Sequence, residues 1–244
     1  MHFTSDRRVD DLIERDFLLG DVPGILWTPA SASAAAPTPL ILLGHPGGLR
    51  PMYPRLLARA RHSAEQGFAT ATIELPGSGD RTPSAAAERA RADLRTAIRA
   101  GERPTEQVVE ALILPLVDEA VPEWQALLDE LVSLPEIDGP VGYSGGVIAV
   151  GIRLALVEPR VVAAGLFAGS FVPRSMFDEA RRVSIPLHVL LQWDDEGNDR
   201  QLALDLFDAF GSKEKSLHAN MGGHRGVPQH AGEDAGSFFA RHLR

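Results

Sequence analysis

Short, continuous apolar runs recur along the chain, and the segments between them carry apolar residues at helical spacing. Such runs are typical of strands that are covered on both faces, as in a parallel sheet. They lie at residues 40–43, 69–73, 161–167 and 187–191, and the short run 139–141 is a further candidate strand. The helical spacing predicts helices over residues 52–66, 117–134, 147–157, 199–210 and 232–243. This alternation predicts an α/β fold with a doubly wound, mostly parallel sheet.

The amino-terminal part of the chain has a different pattern. Two apolar segments, residues 16–19 and 24–27, flank the turn sequence Gly20-Asp21-Val22-Pro23 and predict an antiparallel hairpin at the start of the sheet. The tract 30–39 consists of small residues and prolines and predicts a surface connection. At 244 residues, the chain is expected to form a single domain over residues 1–244.

Residues 81–118 do not fit the alternation of single strands and helices and are predicted to form a helical insertion. Thr82-Pro83 is typical of a helix start, and apolar residues follow at helical spacing. After Gly101 a second apolar set lies at residues 108–116. Two helices at this place predict either a thicker layer on the sheet or a small lid over a substrate pocket.

Composition and charge exclude several classes of partner. The formal net charge is -9, and the arginines of residues 81–103 alternate with acidic residues, so a nucleic-acid partner is not expected. The chain has no cysteine and therefore neither a disulfide nor a thiolate metal site. No apolar run is long enough to span a bilayer. We expect a soluble, cytoplasmic protein with no membrane partner, and its oligomeric state is left open.

The most informative motif is Gly142-Tyr143-Ser144-Gly145-Gly146, between the strand at 139–141 and the helix at 147–157. It has the G-x-S-x-G pattern of a nucleophile elbow, in which a serine stands at the apex of a sharp strand-to-helix turn. The glycines are expected to let strand and helix approach each other and to keep the hydroxyl accessible. Ser144 is therefore the candidate nucleophile. For the motif taken alone, an ordinary glycine-rich turn is the alternative.

A serine nucleophile needs a histidine base, a carboxylate that orients the histidine, and amide donors for the oxyanion. Asp194-Asp195-Glu196 follows the strand at 187–191 and supplies carboxylates at the carboxyl edge of the sheet. His224 stands in the glycine-rich segment 222–226, just before the last helix. The candidate residues thus follow the chain order serine, acid, histidine.

This order and placement resemble the α/β-hydrolase superfamily. Residues 43–48, Leu-Gly-His-Pro-Gly-Gly, are similar to the family's strand and oxyanion turn, and residues 74–80 are similar to its Asp-x-Pro-Gly-x-Gly segment. Residues 186–195 resemble the strand that ends in the acid loop, and residues 203–224 resemble the closing helix, strand and histidine turn. The amino-terminal hairpin and the short connection 170–185 resemble dienelactone-hydrolase-like esterases in particular. The chain departs from dienelactone hydrolases proper, which use a cysteine nucleophile.

The resemblance also implies the oxyanion donors. The family's His-Gly pair is His45-Pro46 in this chain, and proline has no amide hydrogen to donate. The donors are therefore expected to be the backbone amides of Gly47 and of Gly145, the residue after the nucleophile. His45 is expected to brace the oxyanion loop rather than to transfer a proton.

For the triad acid, the resemblance favours Asp195 over Asp194, with Glu196 as a third choice. In the family, the proline before this strand lies nine residues ahead of the acid, and nine residues after Pro186 is Asp195. The family's glycine three residues ahead of the acid is Gln192 here, so a shift by one residue to Asp194 stays open.

The sequence therefore predicts a serine hydrolase that cleaves a small-molecule carboxylic ester or related acyl compound through an acyl-enzyme. Tyr143, Trp193 and Phe171 are candidate substrate-binding residues, with a place in the core as the alternative for each. No histidine pair has metal-ligand spacing with a carboxylate, so no metal and no other cofactor is expected. The alternatives are another reaction on the same triad, such as carbon–carbon bond hydrolysis, acyl transfer or a lyase step, and a non-catalytic ligand-binding protein.

Overall fold

Ten strands form one mixed sheet with helices on both faces in the computed structural model, which describes residues 1–244. The strands are β1 His2–Phe3, β2 Arg7–Val9, β3 Leu12–Leu19, β4 Val22–Pro29, β5 Thr38–Gly44, β6 Ala69–Ile73, β7 Ile137–Gly145, β8 Val161–Phe167, β9 Leu187–Gln192 and β10 Lys215–Asn220. The helices are α1 Leu49–Glu65, α2 Ala85–Arg99, α3 Glu106–Leu131, α4 Ile148–Val157, α5 Phe177–Ala180, α6 Arg200–Ala209 and α7 His230–His242. The predicted α/β fold is confirmed.

The strand order is β1-β3-β4-β6-β5-β7-β8-β9-β10, and β2 pairs with β3. The strands from β5 to β10 are mutually parallel, whereas β3 and β4 form the predicted antiparallel hairpin and β4 joins β6 in antiparallel pairing. Because parallel strands end at the same edge, the loops after β5, β7, β9 and β10 come together there. These are the loops and strand ends that carry the candidate site residues.

The central strand β5 shows why a continuous apolar run belongs inside this sheet. Its residues Leu40, Ile41, Leu42 and Leu43 are at most 2% exposed. Leu40 and Leu42 pack in the larger core, with side chains of α3 and α4, while Ile41 and Leu43 pack in a second core, with side chains of α1 and α7. Successive side chains of a strand point to opposite faces, so a strand covered on both faces is apolar at every position.

Helix α3 runs without interruption through a region for which two separate helical segments, 108–116 and 117–134, were predicted. Pro115 and Pro122 lie inside it, and each proline removes one backbone donor at a cost of about 3 kcal/mol. Nine residues of α3 between Val109 and Leu131 are buried. Since a large buried apolar side chain contributes about 1.5–3 kcal/mol, the buried stripe outweighs the two prolines and the helix continues.

Smaller differences concern element ends and short elements. Helix α2 begins at Ala85 rather than at Thr82-Pro83, because the Ser84 side chain caps it by accepting a hydrogen bond from the Ala87 amide at 3.1 Å. Strands β1 and β2 and helix α5 were not predicted, since each is too short to show a periodic pattern. None of the helices is both long and apolar enough to cross a membrane.

Candidate active site

Ser144 is the last residue but one of β7 and pairs with Leu43 of β5 and Gly165 of β8. The prediction that it stands at the apex of a sharp turn is wrong in this structure, because β7 continues through Ser144. The left-handed backbone conformation falls on Gly145 instead, with a φ of 115°. A glycine adopts this φ without the Cβ strain that a serine would carry. Helix α4 then begins at Ile148.

The glycines of the motif also make room differently from the prediction. A Cβ on Gly142 would lie 2.8 Å from the ring of Phe239, so this glycine admits α7 rather than the following helix. A Cβ on Gly146 would have no neighbour within 4 Å. The close approach of β7 and α4 therefore does not depend on Gly146.

Asp195 and His224 form a hydrogen-bonded pair between the loops after β9 and β10. His224 Nδ1 lies 2.8 Å from Asp195 Oδ2, and the Asp195 side chain is 2% exposed. The other oxygen, Oδ1, accepts a hydrogen bond from the Gly197 amide at 2.9 Å. Asp194 is exposed and makes no contact of this kind with His224. When Nδ1 carries the ring proton and donates a hydrogen bond to Asp195 Oδ2, Nε2 keeps a free lone pair.

Ser144 and His224 lie over the same face of the sheet. Ser144 Oγ is 3.7 Å from the position of a Cβ on its β8 partner Gly165, and Phe167 follows two residues later on the same face. The ring of His224 packs edge-on against Phe167 at 5.4 Å between ring centroids. There is no hydrogen bond between Ser144 and His224. The structure thus joins the acid and the histidine and leaves the serine apart from them.

The hydroxyl of Ser144 is hydrogen-bonded to Arg59, a residue that the sequence reasoning missed. Arg59 Nη2 lies 3.1 Å from Ser144 Oγ and 2.6 Å from the Ser144 carbonyl oxygen. The available signal was a charged residue three positions after Leu56 and next to Ala60, both buried residues of α1. A charge on the buried face of a helix needs hydrogen-bond partners, and here the partners belong to the site.

The loop that carries Gly47 leaves an amide free to act as an oxyanion donor. The Gly47 N–H donates to no acceptor within the protein. His45 beside it is 1% exposed, and its Nε2 lies 2.9 Å from the carbonyl oxygen of Ile73. Burial lowers the pKa of His45. Its position fits the expected brace of the loop, whereas Gly145, the second expected donor, ends β7 next to Gly44 of β5.

A buried carboxylate holds the other end of this loop. Both oxygens of Glu74 accept from the amide of Leu49, the first residue of α1, at 3.0 and 3.1 Å. The Glu74 carboxylate also fills the space beside Gly79, where a side chain would clash with it. Burial raises the pKa of Glu74. The segment 74–80 therefore anchors the start of α1 and, with it, the loop of Gly47.

The three candidate substrate-binding aromatics have different places. Tyr143 is 1% exposed and packs edge-on against Trp124 in the larger core, so its position does not support substrate binding. Trp193 is partly buried, and the guanidinium of Arg200 stacks on its ring at 4.4 Å. Phe171 lines a cavity together with residues of the loop after β9.

This cavity, about 340 Å³ in volume, lies between the end of α2 and residues 193–199, the loop after β9 that carries Asp195 and is called the acid loop below. Its lining includes Ile98 and Arg103 from the insertion, Phe171, and Glu196 from the acid loop. The Glu196 carboxylate lies 2.8 Å from the position of a Cβ on Gly223, the neighbour of His224. An ion pair of 3.0 Å between Arg103 and Asp199 joins the insertion to the loop.

Leu112 and Leu116, two residues of the apolar set at 108–116, lie away from this cavity. Both are partly buried against the larger core, and neither lines the cavity beside the acid loop. The part of the insertion that reaches this cavity is the end of α2 and the segment after it, residues 98–103.

No protein-family model and no curated protein sequence matches the chain. Among solved structures, a PEG-bound cold-adapted esterase from an Arctic intertidal metagenomic library is similar over 100% of both chains, with a TM-score of 0.76 and 26% identity. Acetyl xylan esterase 1 from Thermoanaerobacterium sp. has a TM-score of 0.63 and 13% identity over 98% of this chain and 87% of its own. A dienelactone hydrolase from Anabaena variabilis has a TM-score of 0.61 and 19% identity over 98% of this chain and 99% of its own. The last two share the fold with this chain.

Proposed function

We propose that this chain, an α/β-hydrolase of the dienelactone-hydrolase-like esterase type, is a serine esterase that cleaves a small-molecule carboxylic ester through an acyl-enzyme. Its full-length similarity to a cold-adapted esterase supports ester cleavage. The observation that carries the assignment of residues is the 2.8 Å hydrogen bond between His224 and Asp195, on the sheet face that also carries Ser144. In this proposal Ser144, His224 and Asp195 are nucleophile, base and orienting acid.

In the acylation step, Ser144 Oγ attacks the ester carbonyl carbon and its proton passes to His224 Nε2. Since the two atoms are not hydrogen-bonded in the free protein, they have to come within hydrogen-bond distance in the substrate complex. The carbonyl electron pair moves onto the oxygen, which the amides of Gly47 and Gly145 stabilise. The bond to the alcohol oxygen then breaks, and the proton on Nε2 passes to the leaving alcohol.

Deacylation repeats these transfers with water. The water molecule gives a proton to His224 Nε2 and attacks the acyl carbon. The electron pair of the acyl–Oγ bond returns to Ser144 Oγ, which takes the proton back from Nε2. The products are a carboxylic acid and, from the first step, an alcohol, and the enzyme is regenerated.

The cavity beside the acid loop is the proposed place for one part of the ester. Glu196 connects its wall to the loop of His224, and Ile98 and Phe171 provide apolar surface beside the charges of Arg103 and Glu196. The end of the insertion 81–118 then acts as a wall of the substrate site. In this proposal, residues 98–103 are the part of the insertion that covers the substrate pocket.

Replacement of Ser144 by alanine tests the function. Ser144→Ala should lower kcat for p-nitrophenyl acetate by about 10⁴-fold or more, because the nucleophile is lost. It should also abolish labelling by a fluorophosphonate probe, with no loss of thermal stability. Ser133→Ala is the matched control, since Ser133 is exposed and its hydroxyl bonds only the Glu130 carbonyl oxygen. Both readouts of the control should equal those of the parent.

Two outcomes would change the assignment. Equal hydrolysis by Ser144→Ala and the parent would refute the serine mechanism. Labelling of Ser144 by the probe, without turnover of any p-nitrophenyl ester from acetate to octanoate, would keep the nucleophile. That result would transfer the reaction to acyl transfer or carbon–carbon bond cleavage.

A further inference from the structure

Arg59 reaches from α1 to the ends of the two central strands. Its Nη1 donates to the carbonyl oxygen of Gly44, at the end of β5, at 3.0 Å. Its Nη2 donates to the carbonyl oxygen of Ser144 at 2.6 Å and lies 3.1 Å from Ser144 Oγ. One guanidinium therefore holds two neighbouring strand ends and the hydroxyl of the proposed nucleophile.

No carboxylate pairs with this guanidinium. Arg153 and Arg160 differ in this respect, because Arg153 pairs with Glu179 and Arg160 pairs with Glu158. Burial lowers the pKa of Arg59 to about 10, and the group therefore stays charged at neutral pH. Arg59 is partly buried, and a partly buried positive charge without a counter-ion carries a desolvation cost of the kind found at functional sites.

The space around Gly145 is shaped to admit this group. A Cβ on Gly145 would lie 3.0 Å from Nη2 and 3.1 Å from Nη1 of Arg59, and 2.5 Å from the carbonyl oxygen of Gly44. The glycine after the nucleophile thus leaves room for the guanidinium as well as for the turn. Gly145 therefore allows the guanidinium of Arg59 to lie close to the hydroxyl of Ser144.

We propose that Arg59 is a catalytic residue of the esterase, which fixes Ser144 Oγ and stabilises the negative charge that develops on this atom. The role rests on the proposed function. The charge develops twice, when Oγ gives up its proton to His224 and again when the acyl–Oγ bond breaks in deacylation. A fixed positive charge that is already in place stabilises both states without reorganisation.

Arg59→Lys and Arg59→Gln separate this role from a purely structural one. Lysine keeps the charge with fewer donors, whereas glutamine keeps an amide donor for the carbonyl oxygens without the charge. We expect kcat for p-nitrophenyl acetate to fall by about 100-fold in Arg59→Gln and to stay within about tenfold of the parent in Arg59→Lys. KM should change by less than about threefold in both variants, because the substrate's ground state does not carry the charge.

The matched controls are Arg55→Lys and Arg55→Gln. Arg55 lies one turn earlier on α1, is exposed and makes no side-chain hydrogen bond or ion pair, so both controls should match the parent. Thermal unfolding of every variant shows which ones are folded at the assay temperature. Arg59→Met serves as the neutral variant if Arg59→Gln is unfolded there.

The charge role is overturned if the neutral variant keeps the parent kcat, or if lysine and the neutral variant lose activity equally. The second result would leave Arg59 as a structural link between β5 and β7. Failure of the proposed function gives a different result. In that case Ser144→Ala itself retains turnover, and the role of Arg59 falls with it. Loss of turnover in Ser144→Ala with a fully active Arg59→Gln refutes the role of Arg59 alone.

Discussion

Replacement of Asp195 by asparagine should place His224 in the wrong tautomer. Asp195 Oδ1 accepts from the Gly197 amide at 2.9 Å, while Oδ2 faces His224 Nδ1 at 2.8 Å. An asparagine would keep its carbonyl oxygen on the Gly197 amide and turn its NH₂ group toward Nδ1. Nδ1 would then have to accept a hydrogen bond, and the ring proton would move to Nε2. With that proton in place, Nε2 could no longer take the proton of Ser144.

The expected loss in kcat is about 10³–10⁴-fold, the effect of a wrong tautomer in a triad of this kind. It corresponds to about 4–5.5 kcal/mol of activation free energy. Loss of one ordinary hydrogen bond would account for only about 0.5–1.5 kcal/mol. The size of the effect therefore distinguishes a misplaced proton on His224 from a lost contact.

The assay is kcat for p-nitrophenyl acetate, measured on the pH plateau of the parent. Asp194→Asn is the matched control, because Asp194 precedes Asp195 directly but is exposed and has no hydrogen bond to His224. Its kcat should stay within about threefold of the parent. A loss of less than tenfold in Asp195→Asn, or a larger loss in Asp194→Asn, would refute the assignment of the acid.

Two further predictions concern acid stability and the substrate cavity. Burial and the neighbouring His218 lower the pKa of His188 from 6.5 to about 4, so the unfolded chain takes up the proton first as the pH falls. The unfolding free energy should drop by about 3 kcal/mol more in the parent than in His188→Leu between pH 7 and pH 4, and equal drops in urea titrations would contradict this. Ile98→Ala should change the ratio of kcat/KM between acetate and hexanoate p-nitrophenyl esters, because Ile98 lines the cavity, whereas Leu112→Ala should not. An unchanged ratio in Ile98→Ala would remove the cavity from the substrate site.

The fold could be predicted where local pattern and packing agree. The run at β5 is apolar at residues 40–43 because both its faces are covered, and the same property made β6, β8 and β9 recognisable. The edge strand β10 has polar residues along it and was implied only by the family resemblance. Helix α3 was divided wrongly because proline is a local signal, whereas the continuity of its buried stripe depends on the sheet beneath it. Local propensity was overridden there by tertiary burial.

The candidate site also has one part that the sequence could predict and one part that it could not. Asp195 could be favoured over Asp194 because the family that the chain resembles has its acid nine residues after the proline before this strand, and Asp195 is the buried one of the two carboxylates. The backbone at Ser144 could not be derived from the motif. The pattern of glycines is compatible with a left-handed backbone at Ser144 or at Gly145, and in the structure it is Gly145 that has the positive φ.

Arg59 marks the limit of what the pattern can reveal. Its acceptors at Gly44 and Ser144 are backbone carbonyl oxygens, which every residue possesses. The residue types at positions 44 and 144 therefore do not indicate that an arginine binds there. What the sequence does contain is an arginine close to Leu56 and Ala60, two residues that are buried on α1. Such a charge needs hydrogen-bond partners when water is partly excluded. Because no carboxylate pairs with Arg59, its partners are the carbonyl oxygens at two strand ends and the hydroxyl of Ser144. An unpaired charge on an otherwise buried helix face is therefore a signal for a site residue that motif searches centred on serine, acid and histidine do not include.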